Sequence, residues 1–258
     1  MARALRISFL LFVLVVVAVG AWLDRHITTS WQHTVWVGLY PVNADGSEAA
    51  QGYIGALRDD DLASVATFIN SEAHRHGIAI DEPVHVQLHA PLAERPPELS
   101  PEAGVLGRAL WSLKLRAYRW RALHASPGPR PQIALFLMYH DPARAAVMPD
   151  SLGLQAGLMG IAHLFALPSQ DGQNAVVIAH ELLHVFGASD KYSALDDAPV
   201  FPDGYAEPAL VPLLPQRYAE LMAGRVPLAG DRAQMPDSLL QVRIGERSAR
   251  EIGWVRGP

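Results

Sequence analysis

Residues 176–192 read VVIAHELLHVFGASDKY, and the fold and chemistry of the chain follow from them. Within this stretch His180, Glu181 and His184 form an H-E-x-x-H arrangement. Because residues four apart lie on the same face of a helix, the two imidazoles can bind one metal ion without distorting the backbone. Glu181 follows the first histidine directly, so it can flank the ion and act on a water molecule there. The stretch therefore predicts a helix that carries a metal site.

A third ligand is expected close to the two histidines, because zinc in a catalytic site takes three protein ligands and keeps a fourth position for water. Asp190 is the predicted third ligand. A continuing helix would carry residue 190 away from the metal, whereas Gly187 can adopt the positive φ that ends a helix and turns the chain. Glu207 and Glu220 compete with Asp190 for this role. The spacing from Gly187 favours Asp190.

A simpler interpretation is a buried amphipathic helix whose histidines are satisfied by hydrogen bonds. The run that precedes His180, residues 175–179, is apolar throughout, as expected for a buried helix. This interpretation must explain why Glu181 lies between apolar neighbours, since burial of an unpaired carboxylate is costly. The metal interpretation explains that position and is therefore preferred.

The whole string H-E-x-x-H-x-x-G-x-x-D resembles the signature of the metzincin zinc metallopeptidases. Most metzincins have a third histidine at the last position, and a minority, such as the snapalysin-like enzymes, have Asp. The resemblance to snapalysin-like and matrixin-like enzymes implies Zn²⁺ held by His180, His184 and Asp190. It also implies that Glu181 is the general base and that Gly187 supports the turn.

The metzincin resemblance further implies a methionine in a tight turn beneath the metal. Met222, which is followed by Ala and Gly, is the candidate for this structural support. The simpler alternative is an ordinary core methionine, the commonest use of this residue. Metzincins usually have a tyrosine two residues later, but position 224 is Gly. Tyr192 could donate a hydrogen bond to an oxyanion or simply pack.

Composition excludes several classes of function. The chain has 258 residues, a formal net charge of -5 and no cysteine. This length fits one domain of moderate size, or one domain with a short appendage. We expect a monomer. Without a basic footprint, nucleic acid is not an expected partner. The absence of cysteine excludes disulfides, thiol catalysis and cysteine-ligated zinc.

The N-terminus predicts a membrane anchor. Arg3 and Arg6 precede an uncharged run at residues 7–23, which as a helix would be about 25 Å long and near the lower limit for crossing a bilayer. Positive charge before the run predicts a cytoplasmic N-terminus and an extracytoplasmic remainder, on the periplasmic or extracellular face. The alternative is a cleaved signal peptide and a secreted protein.

Hydrophobic patterns predict the remaining elements. They are a strand at 33–42, a helix from 59–61 to before Gly77, a strand at 84–88, a helix at 103–124, a strand at 132–139, one or two short edge strands at 151–167, and a closing helix at 248–255. In metzincins the substrate peptide adds to the edge strand nearest the cleft, so the resemblance implies this role for residues 151–167.

The expected fold class is α+β and zincin- or metzincin-like, preceded by an N-terminal transmembrane helix. Residues 1–25 form the anchor or signal segment, and residues 30–258 form the peptidase domain. Within that domain, residues 33–187 hold a mixed sheet and the active-site helix. Residues 188–258 form a small irregular subdomain, in which prolines are frequent.

These observations predict a zinc-dependent endopeptidase that hydrolyses extracytoplasmic proteins or peptides. A second hypothesis is a catalytically idle zinc-binding scaffold tethered at the cell envelope, motivated by the absent tyrosine. A third is a lipid-surface module that uses the basic face of the 103–124 helix. The simpler interpretation of that face is an ordinary solvated surface.

Overall fold

The computed structural model describes residues 2–100, 102–125, 129–144, 148–230 and 232–255. The last three residues of the predicted C-terminal subdomain lie outside these ranges. The helices are α1 (Ala2–Thr29), α2 (Glu48–Ala56), α3 (Asp59–Arg75), α4 (Val105–Ala125), α5 (Asp171–Phe186) and α6 (Glu246–Glu251). The strands are β1 (Val35–Asn43), β2 (Val84–Leu88), β3 (Ile133–His140), β4 (Leu152–Leu154), β5 (Met159–Phe165), β6 (Ala219–Glu220), β7 (Val226–Ala229), β8 (Arg232–Gln234) and β9 (Val242–Arg243).

A five-stranded mixed sheet with the order β2-β1-β3-β5-β4 forms the centre of the protein. The pairings β1–β2, β1–β3 and β3–β5 are parallel, and only β4 runs antiparallel to its neighbour. Parallel neighbours need crossover connections. Here α2 and α3 connect β1 to β2, α4 connects β2 to β3, and β3 reaches β5 through the short antiparallel strand β4. The fold is therefore α/β with a mixed sheet, which corrects the expected α+β class.

Helices cover both faces of the sheet, because each face presents alternate apolar residues. Leu135, Leu137 and Tyr139 of β3 point to the face that packs against α2, α3 and α5. Ala134 and Phe136 alternate with these residues and point to the opposite face, where α4 packs through Leu115 and other buried residues. The metal-motif helix α5 thus lies on one defined side of a three-layer structure.

The predicted N-terminal transmembrane helix is wrong. Residues 2–29 do form the helix α1, but no helix in the described part of the chain is both long and apolar enough to span a bilayer. The end of α1 instead belongs to the folded body. Asp24 Oδ2 accepts a hydrogen bond from the backbone N–H of Gly157 at 2.8 Å, and Thr28 is buried. The extracytoplasmic location inferred from this segment stays a prediction.

The other element predictions differ from the structure in detail. The helix predicted from residues 59–61 is α3, and the 132–139 strand is the central β3. Within the 151–167 segment only β4 is an edge strand, because β5 lies between β3 and β4. The closing helix spans Glu246–Glu251 rather than 248–255, although Trp254 is buried as expected. The helix α2 was not predicted.

The part of the chain after α5 is built from short elements. The strands β6 and β9 pair in parallel, and β7 and β8 pair antiparallel. Trp31, just after α1, ties this region to α5: its ring packs edge-on against Phe186 and Trp254. Its indole N–H also donates to the carbonyl oxygen of Ile252 at 2.6 Å. The C-terminal segment is therefore held against the end of the metal-motif helix.

Candidate metal centre

The helix α5 places the two motif histidines side by side. Ten of its residues are buried, and the helix packs against β5 and β4. His180 and His184 lie one turn apart with their ring centroids 4.7 Å apart. Their side chains keep 15% and 18% exposure, so both rings reach the surface of an otherwise buried helix.

Gly187 ends α5 and turns the chain back towards these rings. Its φ is 108°, in the left-handed region that favours glycine. The backbone N–H of Ala188 donates to the carbonyl oxygen of Leu183 and that of Gly187 donates to the carbonyl oxygen of His184, the paired bonds expected of a glycine C-cap. The turn brings Asp190 Oδ1 to 3.2 Å from His180 Nε2 and 3.1 Å from His184 Nε2. The residues proposed as ligands from the sequence therefore converge.

The hydrogen bonds of the two imidazoles fix which ring nitrogen carries the proton. His180 Nδ1 lies 2.9 Å from the carbonyl oxygen of Leu221, and His184 Nδ1 lies 2.9 Å from that of Ala188. Because a carbonyl oxygen only accepts, both Nδ1 atoms must carry the proton. In a neutral ring Nε2 then has a lone pair, and both lone pairs face one carboxylate oxygen. The arrangement needs either extra protons or a shared cation.

In the metal-free protein, added protons on the imidazoles can supply the positive charge that faces the Asp190 carboxylate. Burial acts to lower the pKa of His184, but the hydrogen bond to Asp190 and the charge of Glu181 raise it above its ordinary value overall. Burial acts to raise the pKa of Asp190, but hydrogen bonds from both histidines hold it well below its usual range. A divalent cation bound between the two Nε2 atoms and the carboxylate would meet the same need without added protons.

Glu181 is the second acid at this site. Its side chain is buried, and Oε2 has no hydrogen-bond partner among the described residues. Burial raises the pKa of Glu181, and the two histidines partly offset that rise. A buried carboxylate oxygen without a protein partner is costly unless it faces water or a ligand. Its position fits a group that exchanges protons with a molecule bound beside the imidazoles.

The candidate ligand atoms fit a metal ion. Atoms of His180, Glu181 and His184 lie within 4.8 Å of one another, so this group could hold a metal. Either of two carboxylates, Glu181 or Asp190, could add a ligand atom to those of the two histidines. Asp190 lies outside this close group, but its Oδ1 is 3.2 Å from His180 Nε2 and 3.1 Å from His184 Nε2.

The two competing acids have other partners. Glu220 is fully buried and accepts hydrogen bonds from Ser248 Oγ at 2.7 Å and from the backbone N–H groups of Gly245 and Ala223. Glu207 forms an ion pair with Arg217. Among the described residues, the carboxylate that forms contacts within 4.0 Å of the His180 and His184 imidazoles is that of Asp190, and neither competitor forms one. Glu220 instead ties β6 to the start of α6.

Met222 lies in the segment that supports His180. Residues Leu221–Ala223 form a single 3-10 turn that ends at Gly224 with a φ of 68°. Met222 is fully buried, and its carbonyl oxygen accepts the backbone N–H of Lys191 at 2.9 Å. The carbonyl oxygen of Leu221 accepts a hydrogen bond from His180 Nδ1–H. The turn thus contacts both the first ligand and the loop that bears Asp190.

Tyr192 lies two residues beyond Asp190 and is partly buried. Its burial and the neighbouring charge of Asp190 raise the pKa of its hydroxyl. The hydroxyl is therefore protonated at neutral pH and able to donate a hydrogen bond near the candidate metal centre.

Two features of the site were missed by the sequence analysis. Gly153 in β4 lies against α5, where an added Cβ would clash with His184 Cβ and lie 2.5 Å from the carbonyl oxygen of Glu181. Only glycine lets the edge strand approach so closely, and the glycine-rich 151–167 segment was the available signal. The second feature is Glu251, which contacts residues on both sides of Asp190. No local sequence pattern predicts this contact of Glu251.

Comparisons with known proteins add little to this geometry. No protein-family model matches the sequence, and no curated protein matches it. One solved structure with some similarity is described as "Structure of a chaperone-substrate complex". It has 12% sequence identity and a TM-score of 0.42, over 86% of this chain and 33% of that chain. The chain therefore spans about a third of the length of that protein, and a likeness of this degree carries no argument about function.

Proposed function

We propose that the chain is a zinc-dependent endopeptidase that cleaves peptide bonds in proteins or peptides. The observation that carries the proposal is the convergence of His180 Nε2, His184 Nε2 and Asp190 Oδ1, with the Glu181 carboxylate buried beside them. Two neutral imidazoles and one carboxylate suit zinc, and a catalytic site keeps one further position open. Zn²⁺ supplies Lewis acidity, which makes water more acidic and polarises a carbonyl group.

The residues of this chain have separate roles in the proposed reaction. His180, His184 and Asp190 hold the ion, and the carbonyl oxygens of Leu221 and Ala188 fix the orientation of the two rings. Glu181 accepts a proton from the attacking water and later gives it to the leaving amine. Its buried position keeps the carboxylate close to the reacting atoms and away from bulk solvent.

The edge strand β4 is the proposed binding site for the substrate backbone. Within the described part of the chain β4 pairs with a strand, β5, on one side, and no described strand pairs with its other edge. An extended peptide can add to such an edge through main-chain hydrogen bonds. Because Gly153 of β4 lies directly against α5 at His184 and Glu181, a peptide on this edge would pass the ligand helix.

The test is a comparison of wild type with Glu181→Gln, both loaded with zinc. Glu181→Gln should bind zinc as wild type does but lose about 10²–10⁴-fold in cleavage of a labelled unfolded protein, because general base catalysis is removed. Glu246→Gln, which removes an exposed ion pair with Arg250, is the matched control and should cleave normally. Cleavage by Glu181→Gln at the wild-type rate would refute the assignment.

A catalytically idle zinc-binding scaffold is the second candidate. The observation that favours it is Gly224, which stands where the resemblance expects a transition-state tyrosine. This candidate predicts one zinc per chain but no turnover of any peptide in a diverse library. Cleavage that requires Glu181 would exclude it.

A further inference from the structure

The carboxylate of Glu251 contacts the residues on both sides of the proposed third ligand, the backbone of Ser189 and the side chain of Lys191. Glu251 Oε2 accepts the backbone N–H of Ser189 at 3.0 Å and lies 2.7 Å from Lys191 Nζ. Lys191 Nζ also donates to the carbonyl oxygen of Ser189 at 2.7 Å. We call Ser189, Lys191 and Glu251 the Glu251 clamp. It encloses the one residue between them, Asp190.

The position of the Asp190 carboxylate depends on the backbone that the clamp holds. Its side chain has a single methylene, so the position of its oxygens follows the backbone closely. The side chain is 41% exposed, and its Oδ1 contacts both imidazoles. On one side the backbone is held by Glu251 at Ser189, and on the other by the bond from Lys191 N–H to the carbonyl oxygen of Met222. The ligand is thus positioned through its neighbours.

The clamp contains an ion pair, Lys191–Glu251, that is largely buried and whose presence stability alone does not explain. Lys191 is only 6% exposed, and the pair it forms with Glu251 is largely removed from water. Burial acts to raise the pKa of Glu251, but Lys191 and Ser189 hold it below its usual value, so the carboxylate is charged at neutral pH. A buried ion pair is often no more stabilising than an apolar pair of similar volume. A positioning role gives a reason for its presence.

The helix that carries Glu251 is itself firmly held. Ser248 and Ala249 of α6 are fully buried, and Ile252 just after it accepts the indole N–H of Trp31. Arg247 Nε also contacts Glu251 Oε1 at 3.1 Å from the exposed side of the helix. The clamp therefore joins α6 to the loop that bears Asp190, which lies 61 residues before Glu251 in the chain.

We propose that Glu251 is a positioning residue for the metal ligand Asp190, so that its loss weakens metal binding without removing any ligand. The inference rests on the proposed metal centre and deepens it. Partners that orient metal ligands typically change metal affinity by about 10–100-fold when removed. The same range is expected for Glu251, with a lower kcat and an unchanged KM, because substrate contacts are not altered.

The experiment measures metal affinity and metal geometry in the full chain. Glu251→Gln is compared with wild type by competition with a zinc chelator and by the visible spectrum of the Co²⁺-substituted protein. Glu251→Gln should raise the zinc dissociation constant about 10–100-fold and change the Co²⁺ spectrum. Glu246→Gln, on the same helix but in an exposed pair, should leave both unchanged.

A double variant separates positioning from simple folding. Lys191→Met with Glu251→Met replaces the pair by apolar side chains, which should leave the metal-free protein about as stable as wild type. It should still bind zinc as weakly as Glu251→Gln, because the clamp is gone. Wild-type zinc affinity in both folded variants would overturn the positioning role and leave the proposed function intact. A wild-type protein that binds no zinc would instead overturn the proposed function itself.

Discussion

Asp190 Oδ1 lies 3.1 Å from His184 Nε2, although the two residues are separated by a helix end and a reversal of the chain. The reversal depends on Gly187, whose φ of 108° few other residues adopt. An Asp with a short side chain can reach the imidazoles only if this turn is tight. The contact therefore links one glycine conformation to the whole ligand set.

The contact between Asp190 and His184 predicts that its contribution to stability depends on pH in opposite ways in metal-free and zinc-loaded protein. Without metal, the lowered pKa of Asp190 adds stability that is present above the unfolded value of about 4 and is lost as pH falls through the folded value. The raised pKa of His184 adds stability that is full below about 6.5 and is lost as pH rises through the folded value. The metal-free pair should thus contribute most between about pH 4 and 6.5.

Chelator-treated wild type and Asp190→Asn can be unfolded with urea at pH 5.5 and pH 8 to test this. The penalty of Asp190→Asn should be larger at pH 5.5. Stabilisation of wild type by zinc should be larger at pH 8, because the ligands must be deprotonated. An equal penalty at both pH values in metal-free protein would contradict the proposed ion pair.

Gly153→Ala should damage the site from the edge strand. The added Cβ would meet backbone and Cβ atoms of α5, which cannot move without shifting His184. Overpacking of this kind costs about 1–3 kcal/mol of unfolding free energy, and zinc affinity should fall with it. Gly52→Ala is the matched control: the position in α2 has open space, so alanine should stabilise the helix by about 0.5–1 kcal/mol. If alanine raised the free energy of unfolding at both positions, the close approach of β4 to α5 would be contradicted.

Met222 should matter for its volume and for the turn that it holds. Met222→Ala leaves a cavity in a fully buried position and should cost about 2–5 kcal/mol of unfolding free energy. Met222→Leu conserves volume and should cost less than about 1.5 kcal/mol. The backbone carbonyl groups that accept from His180 and Lys191 remain in both variants. A large loss of zinc affinity in a stable Met222→Leu protein would point to a specific role of the thioether.

Local patterns predicted the parts of the structure that depend on neighbours in sequence. The spacing of His180 and His184 and the glycine at 187 were sufficient to expect a helix, a turn and a returning carboxylate. The structure shows each of these features. The helix α2 was missed because Gly52 and Gly55 disfavour helix by propensity, although Ser47 supplies a cap to the N–H of Ala50.

Features that depend on distant parts of the chain could not be predicted in this way. Glu251 contacts Ser189 across 62 positions, so no periodicity records the pair. The α/β class was missed because strand direction depends on how crossover helices place the strands. The apolar run at residues 7–23 led to a transmembrane helix, but hydropathy alone did not reveal that Asp24 and Thr28 join the folded body.

Metal content is the most direct test of the central claim that His180, His184 and Asp190 hold one divalent ion. Wild type, His184→Ala and Asp190→Ala are loaded with zinc, desalted and measured by elemental analysis. His124→Ala, an exposed histidine on α4, serves as the control. We predict one zinc per chain in wild type and control, and little in the two ligand variants, since loss of a ligand should weaken affinity by more than about 100-fold. Full zinc content in Asp190→Ala, or none in wild type, would contradict the account.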